Sequence, residues 1–166
     1  MREVAGRCAS SRLYLGLLGL LLVAGACSGP SASREDGALI MAPPAEAVAP
    51  ARGAAVVRIA TRYLGVPYVW GGASPAGFDC SGLVTHVFAR VGVSIPHNAA
   101  RQYGYGIAVT RARLEPGDLV FFNRLHHNGI YLGEGRFIHA TKPGGVKISR
   151  LDDDWFRSRW VGARRL

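Results

Sequence analysis

The stretch Gly77-Phe78-Asp79-Cys80-Ser81-Gly82-Leu83-Val84 places a cysteine at the predicted start of an amphipathic helix. Asp79 is a suitable N-cap, because its carboxylate can accept hydrogen bonds from the first free backbone N–H groups. Apolar residues then recur at spacings of three and four as far as Val91, and Gly92 supplies a C-terminal stop. The N-terminus of a helix favours negative charge, so we expect this position to lower the pKa of the Cys80 thiol and favour the reactive thiolate.

Residues 1–26 have the features of a signal peptide. Three arginines are followed by an apolar run over residues 13–26, which is too short to span a bilayer. The run ends in Ala24-Gly25-Ala26-Cys27, which resembles the lipobox of bacterial lipoproteins. That resemblance implies that Cys27 is lipidated and becomes the mature N-terminus.

Two residues near Cys27 bear on the cleavage of the signal peptide and on the localisation of the protein. A lipobox usually has Leu at the position of Ala24, so plain cleavage by the general signal peptidase stays open as an alternative. Ser28 follows the cysteine where Asp would favour retention in the inner membrane of enteric bacteria. We therefore expect a cell-envelope protein that is lipid-anchored in an outer membrane, if the host has one, and faces the periplasm.

The remaining chain divides into a tether and one globular domain. Residues 27–52 are rich in Ala, Pro and Ser and are predicted to be a tether that cannot fold by itself. Residues 53–166 are predicted to form the catalytic domain. Its one cysteine is Cys80, since Cys8 lies in the signal peptide and Cys27 would carry lipid. An unpaired cysteine in an exported domain suggests that the thiol is used.

The order of elements in this domain predicts an α+β fold. We expect a helix over residues 54–64, the helix that begins at Cys80, and a short helix capped by Asn98. Strands follow, and they are predicted at residues 119–122, 128–132, 136–140, 146–149 and 160–164. Helices packed on a later antiparallel sheet are typical of the α+β class.

Two histidines in the predicted hairpin are candidates for acid–base chemistry. If Gly133-Glu134-Gly135 form a three-residue loop, His139 faces Gly129 and lies on the same face of the sheet as His127. Such diagonal neighbours are about 7–8 Å apart at the backbone, within reach of two imidazoles. A two-residue loop would reverse the parity and separate the pair.

Other functions receive little support from the residues. His86, His97 and His126 are interpreted as surface or structural, and no pair of potential ligands shows the usual spacing of a zinc site, so we expect no metal and no cofactor. The net charge of +9 suits an acidic envelope partner, but no nucleic-acid-binding motif is present. We expect a monomer.

Five ordered motifs together resemble the NlpC/P60 cell-wall peptidases, over nearly the whole of residues 53–166. They are Tyr68-Val69-Trp70-Gly71-Gly72, Phe78-Asp79-Cys80-Ser81-Gly82-Leu83-Val84, Pro116-Gly117-Asp118-Leu119-Val120-Phe121-Phe122, His127-Asn128-Gly129-Ile130-Tyr131-Leu132-Gly133 and Phe137-Ile138-His139-Ala140. The resemblance implies a papain-like fold and hydrolysis of peptide bonds in peptidoglycan stems.

By position, the resemblance assigns a role to each motif residue. It implies that Cys80 is the nucleophile, His127 the general base and His139 the group that orients His127. It places Tyr68 near the oxyanion, with Asp79 and Ser81 flanking the cysteine. The implied reaction begins with a Cys80 thiolate paired with protonated His127.

Two residues depart from the family pattern. Asn128 stands where Val commonly precedes Gly-Ile-Tyr, and its predicted position on the opposite strand face from His127 suggests little consequence. His97 replaces an Arg often found after the Pro, which could alter substrate contacts.

The leading hypothesis is therefore a lipid-anchored murein endopeptidase that acts on peptidoglycan stem peptides. A wall-binding lipoprotein without turnover is one alternative, and a thiol amidase or acyltransferase on another substrate is the other. The residues leave open whether the cut falls in the cross-link between D-Ala and diaminopimelate or within the stem between D-Glu and diaminopimelate.

Overall fold

The computed structural model describes the backbone of residues 45–166 and the side chains of residues 52–166. The predicted signal peptide, Cys27 and most of the predicted tether lie outside the described residues. Within them, no helix is both apolar enough and long enough to cross a bilayer.

The first helix begins earlier than the sequence predicts. Helix α1 covers Ala45–Ala60 and continues as a 3-10 turn over Thr61–Tyr63, whereas the expected start was Ala54. Its first turns lie in the segment assigned to the tether. The prolines of that segment suggested a tether, but its many alanines have the highest helix propensity of any residue.

Helix α2 covers Cys80–Ala89 and begins where predicted. One Asp79 carboxylate oxygen accepts a hydrogen bond from the Gly82 N–H at 2.7 Å, which confirms the N-cap. The apolar stripe of α2 is buried against the sheet. Gly82 lies at a close approach, because a Cβ there would stand 2.0 Å from the Gly72 carbonyl oxygen. The short helix α3, Ala99–Gln102, is capped by the Asn98 side chain as expected.

The sheet has six antiparallel strands in the order β3-β8-β4-β5-β6-β7. Their bounds are β3 Ile107–Val109, β4 Leu119–Phe122, β5 His127–Gly133, β6 Arg136–Thr141, β7 Gly145–Arg150 and β8 Trp160–Arg165. A separate two-stranded hairpin pairs β1, Ala73–Ser74, with β2, Gly77–Phe78. The α+β prediction is confirmed, but β1, β2 and β3 were not predicted because each has only two or three residues.

Two apolar clusters lie on opposite faces of the sheet. One joins α1 and α2 to one face. The other is aromatic and places the short helix α4, Asp154–Arg157, against the opposite face. The fully buried β4 lies between β8 and β5, so the strand that leads into His127 is held in the centre of the sheet.

A bidentate ion pair ties the C-terminal strand to the turn before β4. Asp118 is 2% exposed, and its two carboxylate oxygens each lie 2.8 Å from an Arg165 guanidinium nitrogen.

Asp118→Asn is expected to lower the free energy of unfolding by about 3 kcal/mol, because it leaves a partly buried guanidinium without its main partner. Urea titration followed by circular dichroism measures this. The matched control Asp152→Asn removes an exposed pair with Arg111 and should cost less than about 1 kcal/mol. Equal losses would contradict the prediction.

Candidate active site

The Cys80 sulfur lies in an open cleft between the start of α2 and the start of β5. The sulfur is 4.0 Å from the carbonyl oxygen of His126. The backbone N–H groups of Asn128 and Ser81 lower the pKa of the thiol in opposition to its burial. The nucleophile candidate is therefore adjacent to the strand that carries His127. Cys80 is a free thiol.

The hairpin between β5 and β6 brings the two predicted histidines together. Ile130 pairs with Ile138 in the register expected for a three-residue loop. At the tip, Gly133 pairs with Arg136, so the turn itself has two residues, and a bulge before Gly133 restores the expected register. His127 Nε2 consequently lies 2.8 Å from His139 Nδ1, which confirms the predicted contact.

Ser149 extends the His127–His139 contact into a chain of three hydrogen-bonded side chains. The other ring nitrogen of His139, Nε2, lies 2.9 Å from the Ser149 hydroxyl on β7. His139 is fully buried. Because Nε2 of His127 is occupied by His139, only Nδ1 is left to exchange a proton with Cys80.

Burial reverses one expectation about the thiol. It raises the pKa of Cys80, and the negative charge of Asp79 adds to this effect, which together outweigh the backbone N–H groups near the sulfur. Burial also lowers the pKa of His127 to about 4. The expected lowering of the Cys80 pKa is therefore wrong, because at this site the burial of the sulfur outweighs its place at the start of the helix. Both shifts favour the uncharged forms of the thiol and the imidazole.

Aromatic side chains and a tight turn fix the position of the His127 ring. The ring packs edge-on to Trp155 and parallel to Phe156 of α4. The preceding residues Asn123, Arg124 and Leu125 all have φ between 51° and 69°, a left-handed turn without glycine. Such a conformation costs roughly 1–2 kcal/mol per residue, and strain of this kind concentrates at functional sites.

Asp79 joins three segments around the cysteine. Besides capping α2, its carboxylate accepts hydrogen bonds from the Gly71 N–H, the Ser81 hydroxyl and His97 Nε2, the last at 2.8 Å. Burial alone would raise the pKa of Asp79, but the hydrogen bonds from Gly82, His97 and Ser81 lower it. The predicted site residues Asp79 and Ser81 thus bind each other, and His97, which was interpreted as structural, binds Asp79 at the side of the cleft.

Asn128 does more than the sequence suggested. Its side chain is fully buried, and its amide N–H donates to Gln102 Oε1. The Gln102 amide in turn donates to the Ser81 carbonyl oxygen at 3.1 Å. Asn128 lies on the opposite face of β5 from His127, as predicted, and that face forms the buried junction with α2 and α3. This amide pair links the strand of His127 to the helix of Cys80.

Tyr68 lies in the cleft at the mouth of the site. Burial raises its pKa, as do the charge that Cys80 carries once ionised and the negative charge of Asp79, so its hydroxyl remains a hydrogen-bond donor at neutral pH. The Lys142 ammonium lies 5.4 Å from the centre of the Tyr68 ring. Trp70 is 84% exposed at the same rim. Sequence reasoning did not predict that Lys142 would join the cleft.

The other histidine hypotheses have mixed outcomes. His86 is not a free surface residue, because its ring bonds to Tyr63 and to the Ala73 carbonyl oxygen. The His126 side chain is exposed. Among the residues that the structure describes, no group of three or more His, Cys, Asp or Glu could hold a metal ion.

Sequence comparison identifies proteins that are related to this chain. The profile of the NlpC/P60 family matches residues 65–165. A gamma-DL-glutamyl hydrolase of Bacillus subtilis is 44% identical over 133 residues, which cover 76% of this chain and 31% of that protein. A gamma-D-glutamyl-L-lysine dipeptidyl-peptidase of Bacillus cereus is 36% identical over 110 residues, 62% of this chain and 33% of that protein. The chain spans about a third of the length of these two relatives.

Solved structures share the architecture. The peptidoglycan hydrolase RipB of Mycobacterium tuberculosis matches with a TM-score of 0.65 and 35% identity, over 75% of this chain and 68% of that one. An NlpC/P60 family protein from Bacillus cereus matches with a TM-score of 0.66 and 33% identity, over 68% of this chain and 39% of that one.

Proposed function

This chain belongs to the NlpC/P60 family, and from that premise we propose that it is a murein endopeptidase with a Cys80, His127 and His139 catalytic triad. The observation that carries the proposal is the His127–His139 contact of 2.8 Å, with His127 lining the same cleft as Cys80. A nucleophile, a base and a group that orients the base are the parts that thiol hydrolysis requires.

The first half of the proposed reaction forms a thioester. His127 Nδ1 takes the Cys80 proton as the sulfur attacks the scissile carbonyl carbon, because both groups start uncharged. The Cys80 backbone N–H and the Tyr68 hydroxyl donate to the developing oxyanion, and one such donor is typically worth about 3 kcal/mol. His127 then protonates the leaving amine, and the C–N bond breaks.

The second half returns the enzyme to its starting state. Water attacks the thioester and gives a proton to His127 Nδ1. The C–S bond breaks as that proton returns to sulfur, which releases the carboxylic acid product. Throughout both halves, His127 Nε2 stays bonded to His139, so the ring does not need to rotate between steps.

The charges of the cleft suit an acidic peptide. The Asp79 carboxylate is already bonded to four donors, while the Lys142 ammonium has no acidic partner among the described side chains. Stem peptides carry carboxylates next to the γ-D-glutamyl bond. Two relatives are named for γ-glutamyl bonds, so we favour cleavage within the stem between D-Glu and diaminopimelate over cleavage of the cross-link.

Mass spectrometry of wall fragments tests both the activity and the bond. Residues 28–166 are incubated with purified peptidoglycan beside a Cys80→Ser control. Shortened stems with the wild type alone would support the proposed bond, and dimers converted to monomers would place the cut in the cross-link. Absence of product from either protein would favour a wall-binding role, and release of another amide or acyl group would favour an amidase or acyltransferase.

The fall in kcat/KM at acidic pH should follow the protonation of His127. Because the base must be uncharged and burial lowers its pKa to about 4, kcat/KM should stay level from pH 8 to about pH 5 and halve near pH 4. Initial rates on a soluble muropeptide across pH 3–9 measure this. A half-maximum near the ordinary value of 6.5 would contradict it.

Folding must be followed in the same buffers. Both histidines take up protons on unfolding, so stability declines as the pH falls from about 6.5 towards 4. Circular dichroism at each pH separates loss of the fold from protonation of the base.

We also propose that Cys27 carries the lipid and that residues 27–44 tether the domain to the membrane. Envelope action is what a wall hydrolase requires, and an outer-membrane anchor follows from Ser28 if the host has an outer membrane. Intact mass of protein extracted from membranes tests this, with Cys27→Ser as the variant. An unlipidated wild type cleaved after Ala26 would instead favour the general signal peptidase.

A further inference from the structure

The chain of hydrogen bonds behind His127 ends on a serine that the proposed reaction does not use. Ser149 is half-buried on β7, where it pairs with Phe137, and it lies diagonal to His139. Among the described side chains, the His139 ring has two polar partners, His127 at 2.8 Å and Ser149 at 2.9 Å. The fully buried ring therefore depends on Ser149 for one of its two nitrogens.

Two proton arrangements satisfy this chain, since a neutral imidazole carries one N–H. In the first, His127 Nε2–H donates to His139 Nδ1, and His139 Nε2–H donates to Ser149 Oγ. In the second, the Ser149 hydroxyl donates to His139 Nε2, and His139 Nδ1–H donates to His127 Nε2. The second arrangement puts the His127 proton on Nδ1, where it blocks transfer from Cys80. Only the first can catalyse.

We propose that Ser149 is a positioning residue that accepts the His139 Nε2–H and so selects the productive tautomer of both imidazoles. This inference rests on the proposed roles of Cys80 and His127. When His127 receives the thiol proton on Nδ1, its Nε2–H and the His139 Nε2–H are already in place. No other proton of the chain has to move during turnover.

Kinetics of two Ser149 variants form the first test. Ser149→Ala should lower kcat about tenfold with KM unchanged, a size typical of partners that orient a functional imidazole. Ser149→Thr keeps the hydroxyl on a strand that tolerates β-branched residues, so it should retain the wild-type kcat. A wild-type kcat in Ser149→Ala, or an equal loss in Ser149→Thr, would overturn the proposal.

A second background separates positioning from a general effect on the strand. In His139→Asn, the carboxamide oxygen can accept from His127 Nε2–H, and residue 139 has no imidazole tautomer for Ser149 to select. Adding Ser149→Ala to His139→Asn should therefore cause no further loss of kcat. A further tenfold loss would show that Ser149 acts on β7 rather than through His139.

Nitrogen-15 NMR of labelled histidines gives a readout that needs no substrate. At pH 7, the wild type should show His127 and His139 protonated on Nε2, and Ser149→Ala should show a mixture of tautomers. Unchanged tautomers in Ser149→Ala would overturn the inference. If Ser149→Ala shifts the tautomers but the wild type cuts no peptidoglycan, the role of Ser149 is supported and the proposed peptidase function is contradicted.

Discussion

Replacement of Cys80 by alanine is expected to lower kcat/KM for stem-peptide hydrolysis by at least about 10,000-fold. The Cys80 thiol lines the same open cleft as His127 and is the proposed nucleophile. Loss of the nucleophile removes the thioester path entirely, and what remains is orientation of water by the oxyanion donors. Rates on a defined muropeptide, read by separation of the products, measure the loss.

The same variant should leave the fold intact. Alanine is smaller than cysteine and a strong helix former, and Asp79 still caps the helix at the Gly82 N–H. The melting temperature should therefore change by only a few degrees. A folded Cys80→Ala protein that keeps more than a hundredth of the wild-type rate would show that another group attacks the substrate.

The His127–His139 pair could be predicted because it is a local feature of one hairpin. Alternation along a strand and the position of the turn decide which side chains share a face. The bulge before Gly133 was not predictable from the sequence, yet it restored the register that the simpler loop had implied. The helix at Cys80 was predictable for the same reason, since its cap and its apolar stripe lie within about a dozen residues.

Features that join distant segments escaped prediction. Ser149 meets His139 only because β7 pairs with β6, and Gln102 meets Asn128 only because α3 packs beside β5. The pKa of Cys80 likewise depends on contacts between segments that are distant in the sequence. The sequence shows the helix N-terminus that favours a thiolate, but the burial that opposes it appears only when the strand of Asn128 lies against the sulfur.

His127→Ala is expected to lower kcat/KM by about 100- to 10,000-fold at neutral pH, the range of a positioned general base. The reason lies in the resting state of the site. Burial raises the pKa of the Cys80 thiol, so without a base very little thiolate exists at pH 7. The residual rate should therefore rise with pH, about tenfold per pH unit until the thiol ionises, whereas the wild-type rate should be level across the same range.

This contrast in pH dependence distinguishes a thiol that needs a base from a thiolate that the helix start stabilises without the imidazole. If the helix start alone kept the thiolate at pH 7, removal of His127 would leave a residual rate that hardly changes between pH 6 and 9. His86→Gln removes an imidazole from the other side of α2 and should keep the level wild-type profile, with any cost confined to stability through its contacts to Tyr63 and Ala73. A level profile in His127→Ala would mean that the thiolate is stabilised without the imidazole, and the neutral resting state would then be wrong.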